Sequence, residues 1–302
     1  MNQQSTKRDF LGYGDRLPNA AWPSGARLAV SFVLNVEEGA ELSLSSGDER
    51  NEAVHEVWNE VKGAPDLCME SNFEYGTRAG YRRIMSVIGA AGIPITLNAC
   101  ARSLEGVPWL ARDAISRGHE ICSHGYRWES HAGMDEKRER ELIARCYDSI
   151  KRVAGVAPVG WHTRSSPSVN TRRLLAEHGG FLYDSDAYND DFPYYVEVGG
   201  RPHLVVPYCF DANDMRFFQS YAFVSAANFA EYVNDTFDRL LKEAQDVPKM
   251  MSVGLHLRIM GRAGRIGGLE RVLNHMKSHP GVWFARRDAI ARHWLENCPA
   301  AS

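Results

Sequence analysis

The sequence predicts an α/β protein built as a parallel (β/α) barrel. Three observations carry that expectation. The stretch Ala26 to Leu34, ARLAVSFVL, is apolar on both alternating faces, as in a strand buried on both sides of a parallel sheet. Strand-like and helix-like stretches then alternate about seven times along the chain. Polar or ionisable groups follow most of the strands rather than one switch point, and no Gly-rich phosphate turn follows the first, which disfavours a dinucleotide-binding sheet. The 302 residues show no linker, composition shift or internal repeat. They read as one domain, 1–302, with an irregular Gly- and Pro-containing N-terminal arm over residues 1–25.

The elements follow in order. After the first strand come Glu37, Glu38 and Gly39, then a polar stretch, LSLSSGDERNEAVHEVWNEVKGAPD. It is long for a connection, and loops of that length are often functional or partly helical. Helical spacing from Thr77 through Ala79, Ile84, Val87, Ile88 and Ala91 stops at Gly92. ITLNA (95–99) is a strand, Trp109 to Arg117 a helix ended by Gly118, and HEIC the next strand, running into SHGYRW. Asp135 to Val153 is helical, with Leu142, Ile143, Cys146 and Ile150 on one face. A short strand at 158–161 leads into the loop HTRSSPS. Asn170 is the expected cap of the helix TRRLLAEHG, ended by Gly179. FLYDSD and HLVVPY read as strands. Ala226 to Ala244 is amphipathic, and Met250 to Leu257 is a buried strand with His256 near its end. A helix (265–277), the strand VWFARR and a terminal helix (289–295) complete the chain.

Composition narrows the function classes. The chain is 44% hydrophobic and 24% charged, ordinary for a globular protein with a sizeable core. A formal net charge of -3, without a basic block, gives no case for nucleic acid. No apolar run is long enough to span a bilayer. The first residues lack the apolar core of a signal peptide, so a cytoplasmic location is expected. The six cysteines contain no CxxC pair and are expected as free thiols. The tract GRAGRIGG and the aromatic-rich arm are candidate subunit contacts, and a homo-oligomer is expected.

Five predicted strand ends carry candidate site residues: Glu37 with Glu38, His124, Arg164, Asp184 with Asp186, and His256. Singly, each has an ordinary reading. The histidines suit a hydrogen-bonded core, Arg164 a structural ion pair, and the acids a turn or a solvated loop. In a barrel these ends meet at one rim, so the joint pattern is informative. A carboxylate, two imidazoles and an arginine are what amide hydrolysis needs: a base for water, an acid for the leaving nitrogen, and donors for the oxyanion.

The order of these segments resembles the polysaccharide deacetylase superfamily, whose members share a distorted (β/α) barrel, here of about seven strands. NVEEG stands where that family has two adjacent aspartates. SHGYRW matches a motif with two metal-binding histidines four residues apart, His124 taking the first place and Trp128 the second. RSSP (Arg164, Pro167), YDSD (Tyr183 to Asp186) and GLH (His256) match the remaining motifs. An indole cannot ligate zinc, which favours a fuller donor set than remains. Glu38 is a methylene longer than the aspartate it replaces, and His131 is poorly spaced to substitute. The resemblance therefore implies no cofactor. Any residual metal would fall to Glu38 and His124. The same departures resemble the cofactor-independent bacterial allantoinase branch, through RDFLGYG, FVLNVEEG, EYGTRAG, GHEICSHGYRW, NTRRLLAEHGGFLYDSD, NDMRF, GLHLRIMGR and RRDAIARHW. The loop HTRSSPS and a shortened region around Pro193 depart from that branch.

The resemblance implies a hydrolase opening a cyclic amide or ureide, allantoin to allantoate. Glu37 would be general base, oriented by Arg164. His256 would protonate the leaving nitrogen, and His124 would polarise the carbonyl. Glu38, Tyr75, Arg78, Tyr126 and Trp128 would bind a small planar ring. For Trp128 core packing, and for Arg78 a helix-face salt bridge, are the alternatives. Competing readings are a metal-dependent deacetylase of an N-acetylated sugar, a cyclic imide hydrolase, or a binding protein that kept the barrel without its chemistry. The only partner implied is a small-molecule substrate, with no nucleic acid and no membrane.

Overall fold

Strand β1 (Leu28–Val36) is buried at all nine positions, and the sheet is built outward from it. The structure is a computed structural model that describes residues 8–14, 16–57, 59–164, 166–219 and 222–300. The first seven residues of the predicted arm and Ser165 of the Arg/Ser/Pro loop lie outside those residues.

β1 pairs in parallel with β8 (Lys249–His256) along nearly its whole length. On its other edge β2 (Thr96–Ala99) takes the C-terminal half and β9 (Val282–Phe284) the N-terminal half. Beyond β2 lie β3 (Glu120–Ser123), β4 (Gly160–Trp161) and β5 (Tyr183–Asp184), then an antiparallel hairpin of β7 (Arg201–Val205) and β6 (Tyr194–Val198). The spatial order is β6-β7-β5-β4-β3-β2-β1-β8, parallel apart from that hairpin. The sheet curls into a half-barrel. Beside β8 the chain after β7 returns through one parallel bridge, Asn213 to Gly254. Of the strands, only β6 lies wholly outside the predicted stretches.

The helices are α1 (Leu67–Tyr75), α2 (Tyr81–Ala91), α3 (Ala101–Gly106), α4 (Pro108–Ser116), α5 (Glu136–Ala154), α6 (Thr171–His178), α7 (Ala226–Glu243), α8 (Leu257–Met260), α9 (Ile266–Lys277) and α10 (Arg287–Asn297). A π-helical turn, Gly76–Gly80, joins α1 to α2. Local chemistry accounts for the long ones. In α5 the Asp135 carboxylate caps the N-terminus and Gly155 closes the other end in the left-handed region. In α7, Ser225 and Asn228 form a capping box. Asn170 does not cap α6. Its side chain makes no capping bond, and Ser168 Oγ accepts from the Asn170 and Thr171 backbone N–H groups instead.

The core lies between the curled sheet and the helices, around residues such as Phe32, Leu34, Leu97, Phe229 and Leu255. A smaller cluster of Ala40, Met69, Phe73, Cys100 and Trp128 packs under the long loop after β1. Tyr13 of the arm donates to Asp190, and Trp22 donates to the Lys249 carbonyl, so the described part of the arm is tied to the body. All six cysteines are free thiols. Among the described residues no helix is long and apolar enough to cross a membrane.

Candidate active site

Parallel register places three predicted residues together. Asn35 of β1 is level with Asn98 of β2 and His256 of β8. Glu37 follows the end of β1, His124 follows β3, and His256 ends β8. Their backbones are pinned in step: Cys100 N–H bonds Val36 O, and His124 N–H bonds Ala99 O. These are carboxyl ends of strands, where α/β folds place ligands. Gly125, directly after His124, has φ +82°, which turns the chain sharply away and leaves the imidazole at the rim.

Glu37 is the centre of the arrangement and is 1% exposed. Its Oε1 lies 3.5 Å from His124 Nε2 and 3.5 Å from His256 Nε2. Its Oε2 accepts a 2.7 Å hydrogen bond from Arg258 Nη1. Burial pushes the Glu37 carboxyl up, but His256 and Arg258, with hydrogen bonds from both imidazoles, outweigh it and hold the group well below the usual carboxylate range.

The two histidines are oriented from behind. His124 Nδ1 is 2.7 Å from the His162 carbonyl, which can only accept, so Nδ1 carries a proton and Nε2 faces Glu37. The His124 and His162 rings stack with centroids 5.2 Å apart. His256 Nδ1 is 2.6 Å from Asp214 Oδ1, while Asp214 Oδ2 accepts from the His256 and Met260 backbone N–H groups at 2.8 and 3.0 Å. Burial opposes charging His256, yet Glu37 and Asp214 raise it to about 10. It is therefore an imidazolium at neutral pH.

Glu38 is buried beside Glu37. Its Oε2 accepts from the Glu37 backbone N–H at 3.0 Å, and its Oε1 has no hydrogen-bond partner. Burial raises it to about 7, with the Glu37 charge adding and Arg258 opposing. Gly76 of the π turn faces this carboxylate so closely that any Cβ there would strike it.

Glu37 and the two histidines border a cavity of about 180 Å³, whereas Glu38, expected to bind substrate, does not line it. Glu37, His124 and His256 line it with Trp128, Arg164 and Arg258, and so do Asn35, Tyr208 and Asn213, the Tyr208 hydroxyl accepting from both amides. Val54, His55 and Glu56 of the long loop and Phe218 of a 3₁₀ turn complete the wall.

Several expectations need correction. Arg164 does not orient Glu37. It pairs with Glu52 at 3.1 Å, donates to the Trp128 carbonyl at 3.0 Å, and stacks on the indole 3.4 Å from its centroid. Arg258, two residues past His256, does the orienting. Tyr75 is outside the cavity, where it accepts from Arg83 and stacks under Arg262. Arg78 is largely exposed and pairs with Glu74 one helical turn back. Tyr126 faces a separate surface cleft with Arg145 and Arg102, and its hydroxyl donates to Glu105. Asp184 is engaged by Arg172 and His203, and Asp186 by Thr163. Neither lines the cavity. His131 is paired with Glu139.

Asp214, Arg258, Glu56, Asn35 and Tyr208 were missed. Asp214 sits in NDMRF and Arg258 in GLHLRIMGR, both segments that carry the resemblance without either residue having been singled out. Glu56 lies in the loop whose length alone was a signal.

Comparison with known proteins identifies the family and the fold. The polysaccharide deacetylase family model matches residues 62–180. A Schizosaccharomyces pombe protein assigned to the polysaccharide deacetylases is 34% identical over 314 residues, covering 97% of this chain and 98% of the relative. The crystal structure of an allantoinase superposes with a TM-score of 0.93 at 45% identity, over 97% of this chain and 99% of that one. A Pseudomonas aeruginosa PAO1 structure, also assigned as a polysaccharide deacetylase, gives 0.93 at 44% identity with the same coverage. The chain belongs to the polysaccharide deacetylase family, and that membership makes it a hydrolase acting on carbon–nitrogen bonds.

A divalent ion is the cofactor that this family implies, and the residues do not fit one. Trp128, in the place expected for a second imidazole, offers no ligand atom. Glu38 and His124, the residual candidates, belong to no group of three ligand atoms within 4.8 Å of one another. Among the described residues that arrangement occurs only at Asp238, His275 and His279 on the surface between α7 and α9. Where a metal would neutralise the paired glutamates, the Arg258 guanidinium already lies 2.7 Å from Glu37 and 4.0 Å from Glu38.

Proposed function

We propose that this protein opens the ring amide of a small ureide, allantoin to allantoate, with carboxylate and imidazole groups moving the protons and no metal taking part. The observation that carries the reading is Glu37 Oε1 facing His124 Nε2 and His256 Nε2 at 3.5 Å each on the cavity. At about 180 Å³ the cavity is below the roughly 300–1,000 Å³ typical of drug-sized sites. It suits a compact ring better than a sugar chain.

In this mechanism Glu37 accepts a proton from water as the oxygen attacks the ring carbonyl. The new C–O bond leaves charge on the carbonyl oxygen, which His124 stabilises through Nε2. Because His124 Nδ1 is committed to the His162 carbonyl, donation through Nε2 requires the imidazolium. As the ring C–N bond breaks, His256, charged at neutral pH, gives its Nε2 proton to the departing nitrogen. The proton held by Glu37 then returns to solvent or to His256. Trp128 and Phe218 would flank the planar ring, and Asn35 and Asn213 would meet its amide edges.

The test is turnover of allantoin, hydantoin, succinimide and N-acetylated chitooligosaccharides by wild type, Glu37→Gln and His256→Ala. Each substitution should lower kcat on the ureide by about 10²–10⁴, the usual worth of a general base or acid. Wild-type rates in both variants would remove the assigned roles. The family match motivates one competing reading, metal-dependent deacetylation of an N-acetylated sugar. It predicts stoichiometric zinc in purified protein, chelator-sensitive activity and preference for the chitooligosaccharide.

A further inference from the structure

We propose that Arg258 is the resident cation of this site, a positioning residue whose guanidinium orients Glu37 and keeps it ionised in place of a bound metal ion. This rests on the reading of Glu37 as the base. It adds the group that makes such a base usable in a pocket dense with carboxylates.

Arg258 is 4% exposed. Three carboxylates converge on it: Glu37 Oε2 at 2.7 Å and Glu38 Oε1 at 4.0 Å from Nη1, and Glu56 Oε1 at 2.8 Å from Nε. Glu37 and Glu38 are buried, and a buried carboxylate without a cation beside it is driven to take up a proton. The guanidinium is itself held by aromatic faces, its central carbon 4.2 Å from the Phe73 ring centroid and 5.5 Å from that of Trp128. Arg164 covers Trp128 at 3.4 Å. The indole thus contacts both guanidinium groups and leaves no imidazole for a metal to use. Its ring quadrupole supports the positive charges.

The geometry divides the two oxygens of Glu37. Arg258 occupies Oε2 and leaves Oε1 for the imidazoles and the cavity. The planar guanidinium spans two carboxylates, Nη1 on Glu37 and Nε on Glu56, so its own orientation is fixed while it supplies charge, which a lysine ammonium cannot reproduce. One-turn helix α8 makes this possible. It starts directly after His256 and places the side chain of Arg258 back over the end of β1.

The experiment compares Arg258→Met, Arg258→Lys and Arg258→Ala, with folding checked by circular dichroism. Methionine keeps bulk and loses charge. Its kcat should fall by about 10²–10³ with KM changed much less, and the acid limb of the pH–rate profile should move upward as Glu37 loses its cation. Lysine should recover the position of the acid limb but only part of kcat. Millimolar methylguanidinium should raise the rate of the alanine variant at least tenfold, while equal sodium chloride or ammonium chloride should not. Should the alanine variant fail to fold, Glu56→Gln, which loosens the guanidinium from behind, should lower kcat about tenfold.

An Arg258→Met enzyme with an unmoved acid limb would overturn the proposal. So would a folded alanine variant indifferent to methylguanidinium, or restored by Zn²⁺ or Mn²⁺ instead. The Glu37 carboxylate can be titrated by difference infrared spectroscopy without substrate. Failure of wild type on every ureide therefore sinks the functional reading while leaving this one to its own result.

Discussion

Asp214 offers the sharpest test of how the proposed acid is made. It is fully buried and has both oxygens committed: one to His256 Nδ1, the other to two backbone N–H groups. In Asp214→Asn the amide oxygen has to remain with the backbone donors, because an NH₂ group there would face two N–H groups. The NH₂ then points at His256 Nδ1 and forces that nitrogen to accept. The imidazole becomes neutral with its proton on Nε2, a far weaker acid than the imidazolium. The rise of His256 from 6.5 to about 10 corresponds to about 5 kcal/mol in favour of the charged ring at 1.36 kcal/mol per unit. Asp214 is one of its two carboxylate partners. With the ring neutral across the assayed range, the alkaline limb near 10 should disappear and kcat on allantoin should fall by about 10²–10⁴. The assay is kcat and kcat/KM from pH 5 to 10.5, with imidazole ¹⁵N shifts reporting the tautomer and circular dichroism confirming the fold. A variant with wild-type kcat and an alkaline limb still near 10 would refute the reasoning.

Three further outcomes are expected. In the wild-type pH–rate profile the Glu37 limb should lie well below 4.5 and the His256 limb near 10; any further limb should vanish in His124→Gln, and one that vanishes in Glu38→Gln instead would move the base to Glu38. Glu38 has a folded value near 7, above its ordinary 4.5, so the folded state keeps a proton that the unfolded chain releases, and Glu38 makes stability fall as pH rises from about 4.5 to 7. Glu38→Gln should remove that fall, matching wild type in urea unfolding at pH 4.5 and exceeding it above pH 7 by up to about 3 kcal/mol. Gly76→Ala should push a methyl into Glu38 and lower stability by about 1–3 kcal/mol, the usual cost of overpacking, which thermal melts would register.

What was legible in the sequence had a one-dimensional signature. The buried run of β1 is apolar at nearly every position, and the residues directly after β1 and β3 and at the end of β8 reach the rim whatever the side chains elsewhere do. Glu37, His124 and His256 were therefore placed by position alone. Partner choice was not legible. Arg164 and Arg258 both follow strand ends, and which one reaches Glu37 depends on α8 turning back while the Arg164 side chain lies over Trp128 towards Glu52. Tyr75 and Arg78 failed for a similar reason: the π turn presents Gly76, not its neighbours, to Glu38. Helix α1 escaped notice because only Met69 and Phe73 are buried along it, too few for a periodic signal. The hairpin strand β6 has intermediate exposure at three successive positions and no alternation to read.

A carboxylate held far below its ordinary range is a weak base, which at first sight argues against Glu37. The same cations that weaken it act on the other side of the reaction. In the proposed reaction negative charge grows on the carbonyl oxygen as water attacks, and His256 and Arg258 add fixed positive charge to the site in which His124 meets that oxygen. Their field is preorganised because each is held by a carboxylate: His256 by the buried Asp214, Arg258 by the partly buried Glu56. Stabilising developing charge with fixed groups is commonly the larger contribution to rate, while basicity enters through a proton transfer worth about 10²–10⁴. The fixed separation of roles on Glu37, one oxygen anchored and one free, also holds the attacking water in register, and positioning costs the base nothing in driving force. The site thus favours a reaction whose difficulty lies in charge development at a carbonyl over one that needs a strong base, and opening the amide of a small polar ring is such a reaction.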